Sequence, residues 1–165
     1  MAGSLTNPSK YSTLEKRCIC CNAEQSARLD SILRTVYQGF KKLHTLKGDT
    51  LHDEDTMVQY VKDNFQIVFI DDKYLVLLDV IQHWMSPNLV LSEELVYKYG
   101  EGTATTQDII ECLEYVGKEW GCHKIIMGTA GAHGRDRHEA LSRAYEQAGM
   151  ELDFITLRRI VNGSS

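Results

Sequence analysis

Apolar residues in this chain change their spacing several times, and each change predicts an element. From residue 22 to 43, Leu29, Ile32, Leu33, Val36, Tyr37 and Phe40 recur at three-and-four spacing behind Asn22, a residue suited to an N-cap. That spacing predicts an amphipathic helix, preceded by a short strand in "KRCICC" (16–21). Within 47–64 a turn leads into a second, shorter helix, with Asp53, Glu54 and Asp55 where a helix start favours negative charge. The period then shortens. "FQIVFI" (65–70), "KYLVLLDVI" (73–81) and "NLVLSEELVY" (88–97) are rich in β-branched and aromatic residues and predict three strands, the first two a hairpin across Asp71 and Asp72.

Helical spacing returns at 105–120, with Ile109, Ile110, Leu113, Val116 and Trp120 on one face. Thr105 and Asp108 stand at capping-box spacing, and Gly121 stands where a helix-ending glycine belongs. "HKIIMGTA" (123–130) predicts a strand, 131–138 a polar link, 139–149 a helix stopped by Gly149, and 150–161 a last extended run. A strand–helix–strand unit over 88–130 predicts a parallel, right-handed crossover.

A chain of 165 residues that is 43% hydrophobic can bury one core, so residues 16–165 are expected to form a single domain behind a polar tail at 1–15. A net charge of -5 and a pI near 5.7 argue against general binding of nucleic acid or of anionic lipid. No run approaches the ~20 apolar residues of a membrane helix, and the amino terminus carries no apolar signal segment. A cytoplasmic protein is expected. Cys18, Cys20 and Cys21 crowd together, but without a C-x-x-C pair or a second ligand pair they suit a buried strand of a reduced protein better than a zinc site. No metal is expected.

The candidate chemistry centres on "VYKYGEGTATTQD". A strand that passes through a small-residue turn into a capped helix leaves backbone N–H groups available at the positive end of the helix dipole, where an anion can bind. The segment lacks the Lys-Ser/Thr ending of a nucleotide P-loop, and Thr105 breaks the G-x-G-x-x-G pattern. A plain turn explains the glycine pair on its own terms.

The element order, the "EELVYKYGEGTA" turn, "GCHKIIMGTA" after it and "HEALSRAYEQAGMELDFITLRRIV" together resemble the GNAT superfamily of acyl-coenzyme A dependent N-acetyltransferases. The resemblance covers 16–161, with its specificity in 88–161, and is closest to the shortened GNAT-like proteins that bacteriophages encode. It implies one α/β (α+β) domain with a mixed sheet of six or seven strands, about four helices, and an opening between the strands at 88–97 and 124–130. It also implies acetyl-CoA as cosubstrate. The family's pyrophosphate loop falls on Tyr99, Gly100, Gly102, Thr103, Ala104 and Thr105. Here Tyr99 replaces the family's Gln or Arg, and Glu101 adds a negative charge. His138 falls near the coenzyme, in a segment that also holds His133.

The same resemblance places the amine near Glu93 and Glu94. A carboxylate there can take the proton that an ammonium must lose before it attacks. Strand alternation sends the two to opposite faces, and Glu94 is preferred. Tyr145 corresponds to the family's general acid toward the departing thiolate. Two functions follow. One is acyl transfer from acetyl-CoA to a primary amine of a small molecule or protein, with a homodimer as one candidate assembly. The other is a GNAT-fold protein that has lost the chemistry and serves as a binding or assembly partner, in a host cytoplasm or a virion.

Overall fold

The computed structural model describes residues 18–20, 23–42, 51–82, 84–128 and 135–151, of which 18–20, 23–27 and 135–138 are described by their backbone alone. Along the chain run β1 (Cys18–Cys20), α1 (Ala23–Phe40), α2 (Glu54–Asn64), β2 (Gln66–Ile70), β3 (Tyr74–Gln82), β4 (Leu89–Lys98), α3 (Thr106–Glu119), β5 (Cys122–Ile126) and α4 (Arg135–Gln147). The strands form one sheet in sequence order. Neighbours from β1 to β4 are antiparallel, and β4 pairs with β5 in parallel, the two joined by α3.

The two faces of the sheet are covered by different helices. Val68, Ile70, Val76, Leu78 and Leu91 pack against Ile109, Cys112, Leu113, Tyr115 and Val116 of α3. Ile67, Phe69, Leu75 and Leu77 pack against Leu29, Leu33 and Val36 of α1 and Val58 and Val61 of α2. Because β2 and β3 are buried on both sides, they read as continuous apolar runs and not as alternating ones. Each fully buried leucine, such as Leu33, Leu78 and Leu113, contributes roughly 2 kcal/mol of transfer free energy.

Local chemistry sets the element ends. Asp53 caps α2 by accepting from Thr56 N–H at 2.9 Å. Thr105 and Asp108 form the expected capping box. Gly149, at φ +90°, closes α4 as its N–H donates to Glu146 O and Met150 N–H donates to Tyr145 O, the Schellman pattern.

Several boundaries differ from the sequence prediction. The described residues hold five strands, not six or seven, because the run expected at 150–161 lies outside them beyond Glu151. Helix α4 begins at Arg135, inside the segment predicted as a link, because "RDRH" offers no apolar residue to mark a first turn. Strand β5 stops at Ile126, short of the predicted residue 130. The tail at 1–15, Cys21, Asn22 and His133 lie outside the described residues.

Candidate functional site

Strand β4 carries the irregularity that builds the site. Its register with β3 runs Leu77 to Leu95 and then Leu78 to Glu93, so Glu94 is an extra residue, a β-bulge. The bulge reverses the alternation. Leu91 and Val96 belong to the α3 side, whereas Leu95, Tyr97 and Tyr99 pack on the α1–α2 side. Glu93, opposite Leu78, stays on the α3 side.

Pairing of β4 with β5 ends at Ser92 and Ile126, and Glu93 follows at once. Its Oε2 accepts from Gly128 N–H at 3.1 Å, across the place where the two strands cease to pair. Burial pushes the Glu93 carboxyl up to about 7; the Gly128 N–H opposes this and the Glu94 charge adds to it. Tyr145 of α4 is buried at 7% exposure. Its phenol is pushed above the usual range, first by burial, then by the charge of Glu93 and by Tyr74. A carboxyl poised near neutrality and a phenol held neutral therefore lie within electrostatic range of each other. Glu94 is exposed and accepts from Ser92 Oγ at 2.9 Å. Of the two glutamates, Glu93 lies where β4 and β5 cease to pair and Glu94 is the exposed bulge residue, whereas the sequence reading preferred Glu94.

At the far end of β4, the turn expected to cradle phosphate meets the β2–β3 hairpin. Asp71 and Asp72 adopt φ +50° and +49°, and Lys73 N–H donates to Ile70 O at 3.0 Å, as in a type I′ turn. Asp71 Oδ2 accepts from Thr103 N–H at 2.7 Å, Ala104 N–H at 2.9 Å and the Thr103 hydroxyl at 3.0 Å. Asp108 Oδ2 accepts from Thr105 N–H at 2.7 Å. The N–H groups of Tyr99 and Gly100 donate to Lys73 O at 2.8 and 3.2 Å. Lys73 Nζ donates to Ala104 O at 2.6 Å, and Lys98 pairs with the exposed Glu101 at 3.1 Å.

The glycines serve this contact. A Cβ at Gly102 would lie 1.9 Å from Asp71 O, and one at Gly100 would lie 2.0 Å from Asp72 O. Neither glycine has a positive φ, so close approach and not backbone conformation requires them. Tyr99 packs edge-on against Phe69 at 5.8 Å on the α1–α2 side. As built, the turn does not fit a pyrophosphate: its backbone donors at 103, 104 and 105 are already held by carboxylates. Asp71 escapes sequence reasoning because it stands 32 residues from Thr103. The bulge has a faint signal in the doubled Glu93–Glu94 within an apolar strand. His138 lies in α4, with only its backbone described. Among the described residues no cluster suited to a metal ion occurs and no helix is long and apolar enough to cross a membrane.

No protein-family model matches the sequence, and no curated protein matches it. Solved structures do match in shape. An aminoglycoside acetyltransferase from an uncultured soil metagenomic sample superposes with a TM-score of 0.57 at 13% identity, over 88% of this chain and 97% of that one. A protein named a probable acetyltransferase gives 0.59 at 12%, over 90% and 99%. A second soil metagenomic aminoglycoside acetyltransferase, in complex with sisomicin, gives 0.54 at 7%, over 90% and 99%. The likeness is one of fold: a mixed α+β domain shared with these proteins.

Proposed function

We propose that this protein transfers an acyl group from a thioester to a primary amine by direct attack. The observation that supports this most is the placement of Glu93 between the parting ends of β4 and β5, with its carboxyl near 7 and Tyr145 close enough to feel its charge. Glu93, and not Glu94, is the proposed base. It takes a proton from the incoming ammonium, directly or through a water, and frees the nitrogen lone pair. The nitrogen bonds to the thioester carbonyl carbon and the carbon–sulfur bond breaks. Tyr145 donates its phenolic proton to the leaving sulfur and regains one from the nitrogen, so one proton leaves through Glu93. Holding the two reactants in contact supplies much of the rate.

The experiment is thiol release from acetyl-CoA and from acetyl-pantetheine across a panel of primary amines, with aminoglycosides included because acetyltransferases of that class share the fold. The expected rate falls as the pH drops below about 7, where Glu93 becomes protonated. Absence of thiol release from both donors across the panel would sink the proposal.

The saturated glycine turn favours an alternative, a GNAT-fold protein without chemistry that acts as a binding or assembly component, on a phage particle or a host protein. Stoichiometric copurification with another protein, together with silence in the thiol assay, distinguishes it.

A further inference from the structure

Acyl thioesters of the coenzyme type have two separable parts. A flexible acyl-pantetheine arm carries the reacting bond, and a nucleotide diphosphate gives much of the handle by which an enzyme can hold it. We infer, on the basis of the acyl-transfer proposal, that this protein reads the arm and not the diphosphate, so that its donor class is acyl-pantetheine thioesters in general.

Three observations at the β4–α3 turn carry the inference. The donors of residues 103–105 are occupied: Thr103 N–H, Ala104 N–H and the Thr103 hydroxyl converge on Asp71 Oδ2, and Thr105 N–H is held by Asp108 Oδ2. A diphosphate could take these groups only by displacing carboxylates already bonded within 3.0 Å. The room is consumed as well. The absent side chains of Gly100 and Gly102 do not open a cradle, since the backbone oxygens of Asp72 and Asp71 fill the positions a Cβ would take. The charge is also of the wrong sign. Asp71, Glu101 and Asp108 place three carboxylates around the turn, while the nearby ammonium groups of Lys73 and Lys98 are committed to Ala104 O and to Glu101.

The middle of β4 differs. Among the described residues its pairing with β5 ends at Ser92 although the strand continues to Lys98, so its edge past the bulge offers backbone groups to the amides of an extended arm. An enzyme that draws binding energy from a remote diphosphate loses kcat as well as affinity when its substrate is truncated. This one should not.

The test compares acetyl-CoA with acetyl-pantetheine as donors for the intact chain, and CoA with pantetheine as ligands by calorimetry. The expected kcat/KM values agree to within about tenfold, the two ligands bind with similar affinity, and inorganic pyrophosphate at millimolar concentration does not inhibit. A preference of more than about tenfold for the CoA form, in turnover or in binding, overturns the inference even if acyl transfer is confirmed. Pyrophosphate inhibition that competes with acetyl-CoA overturns it too. Absence of both turnover and binding for either compound overturns the acyl-transfer proposal itself, and the inference with it. In Asp71→Ser the donors at 103 and 104 are released, and the ratio of CoA to pantetheine affinity is expected to rise above that of the native chain; if the native ratio already exceeds tenfold, no behaviour of the variant rescues the inference.

Discussion

Strand β4 carries one carboxylate at its middle and meets another beyond its C-terminal end, and the two are held in different ways. At the bulge, Glu93 receives one backbone N–H, from Gly128, in a place where burial favours its neutral form. Beyond Lys98, Asp71 reaches in from another turn and takes two N–H groups and a hydroxyl. A poorly solvated carboxylate with one donor keeps an affinity for protons near neutral pH, which is what a base needs. A carboxylate with three donors works as a clamp. The contrast separates a carboxylate able to take up a proton near neutral pH from one that ties two turns together.

The sharpest way to break this contrast is at Glu93. Replacing it by glutamine removes the proton acceptor while keeping nearly the same shape, and should lower acyl transfer by about 10²–10⁴-fold in steady-state assays without unfolding the protein. The same variant tests the carboxyl's environment apart from activity. Because the folded-state value lies near 7, above the ordinary 4.5, the folded protein holds a proton that the unfolded chain gives up between those values. Glu93 therefore makes stability fall as pH rises from about 4.5 to about 7, and chemical denaturation across that window should show less of this slope in Glu93→Gln. An unchanged slope would place Glu93 in water.

At the clamped end the expected effects are on stability. Gly102→Val drives a branched side chain into Asp71 O and should cost about 3 kcal/mol, read as a shift in the denaturation midpoint. A neutral result would mean that the two turns do not touch. Asp71→Ala leaves the Thr103 and Ala104 N–H groups without their acceptor, at about 1–3 kcal/mol, and Asp71→Asn, which keeps an acceptor oxygen, should cost less. The smallest effect is at the cap: Thr105→Ala removes one side of the capping box and should cost about 1 kcal/mol in the same assay.

Much of the fold was legible because it rests on local period. The face of α3 that carries Ile109, Ile110, Leu113 and Val116 is buried as its spacing requires, and its box of Thr105 and Asp108 lies within a single turn. Gly149 ends α4 through a conformation that glycine adopts without steric cost. The first turn of α4 was not legible, since Arg135, Asp136, Arg137 and His138 carry no hydrophobic signature. The glycine turn was legible as a turn with donors. Its occupant was not.

The sequence by itself determined which segments coil, which extend and where several of them stop, because capping, turn chemistry and amphipathic period act over a few residues. Its resemblance to a family of acetyltransferases, and not any local pattern, marked Tyr145 and the Glu93–Glu94 pair as groups for proton transfer. Which side the later residues of β4 take was decided by pairing with β3: one extra residue, Glu94, reverses every side chain beyond it, and that residue is extra only relative to a partner strand. What fills the turn was likewise decided at a distance, where the β2–β3 hairpin brings Asp71 against Thr103 and Ala104. A backbone donor accepts whichever acceptor the fold delivers first, and no local pattern in "YGEGTA" names a carboxylate from another turn.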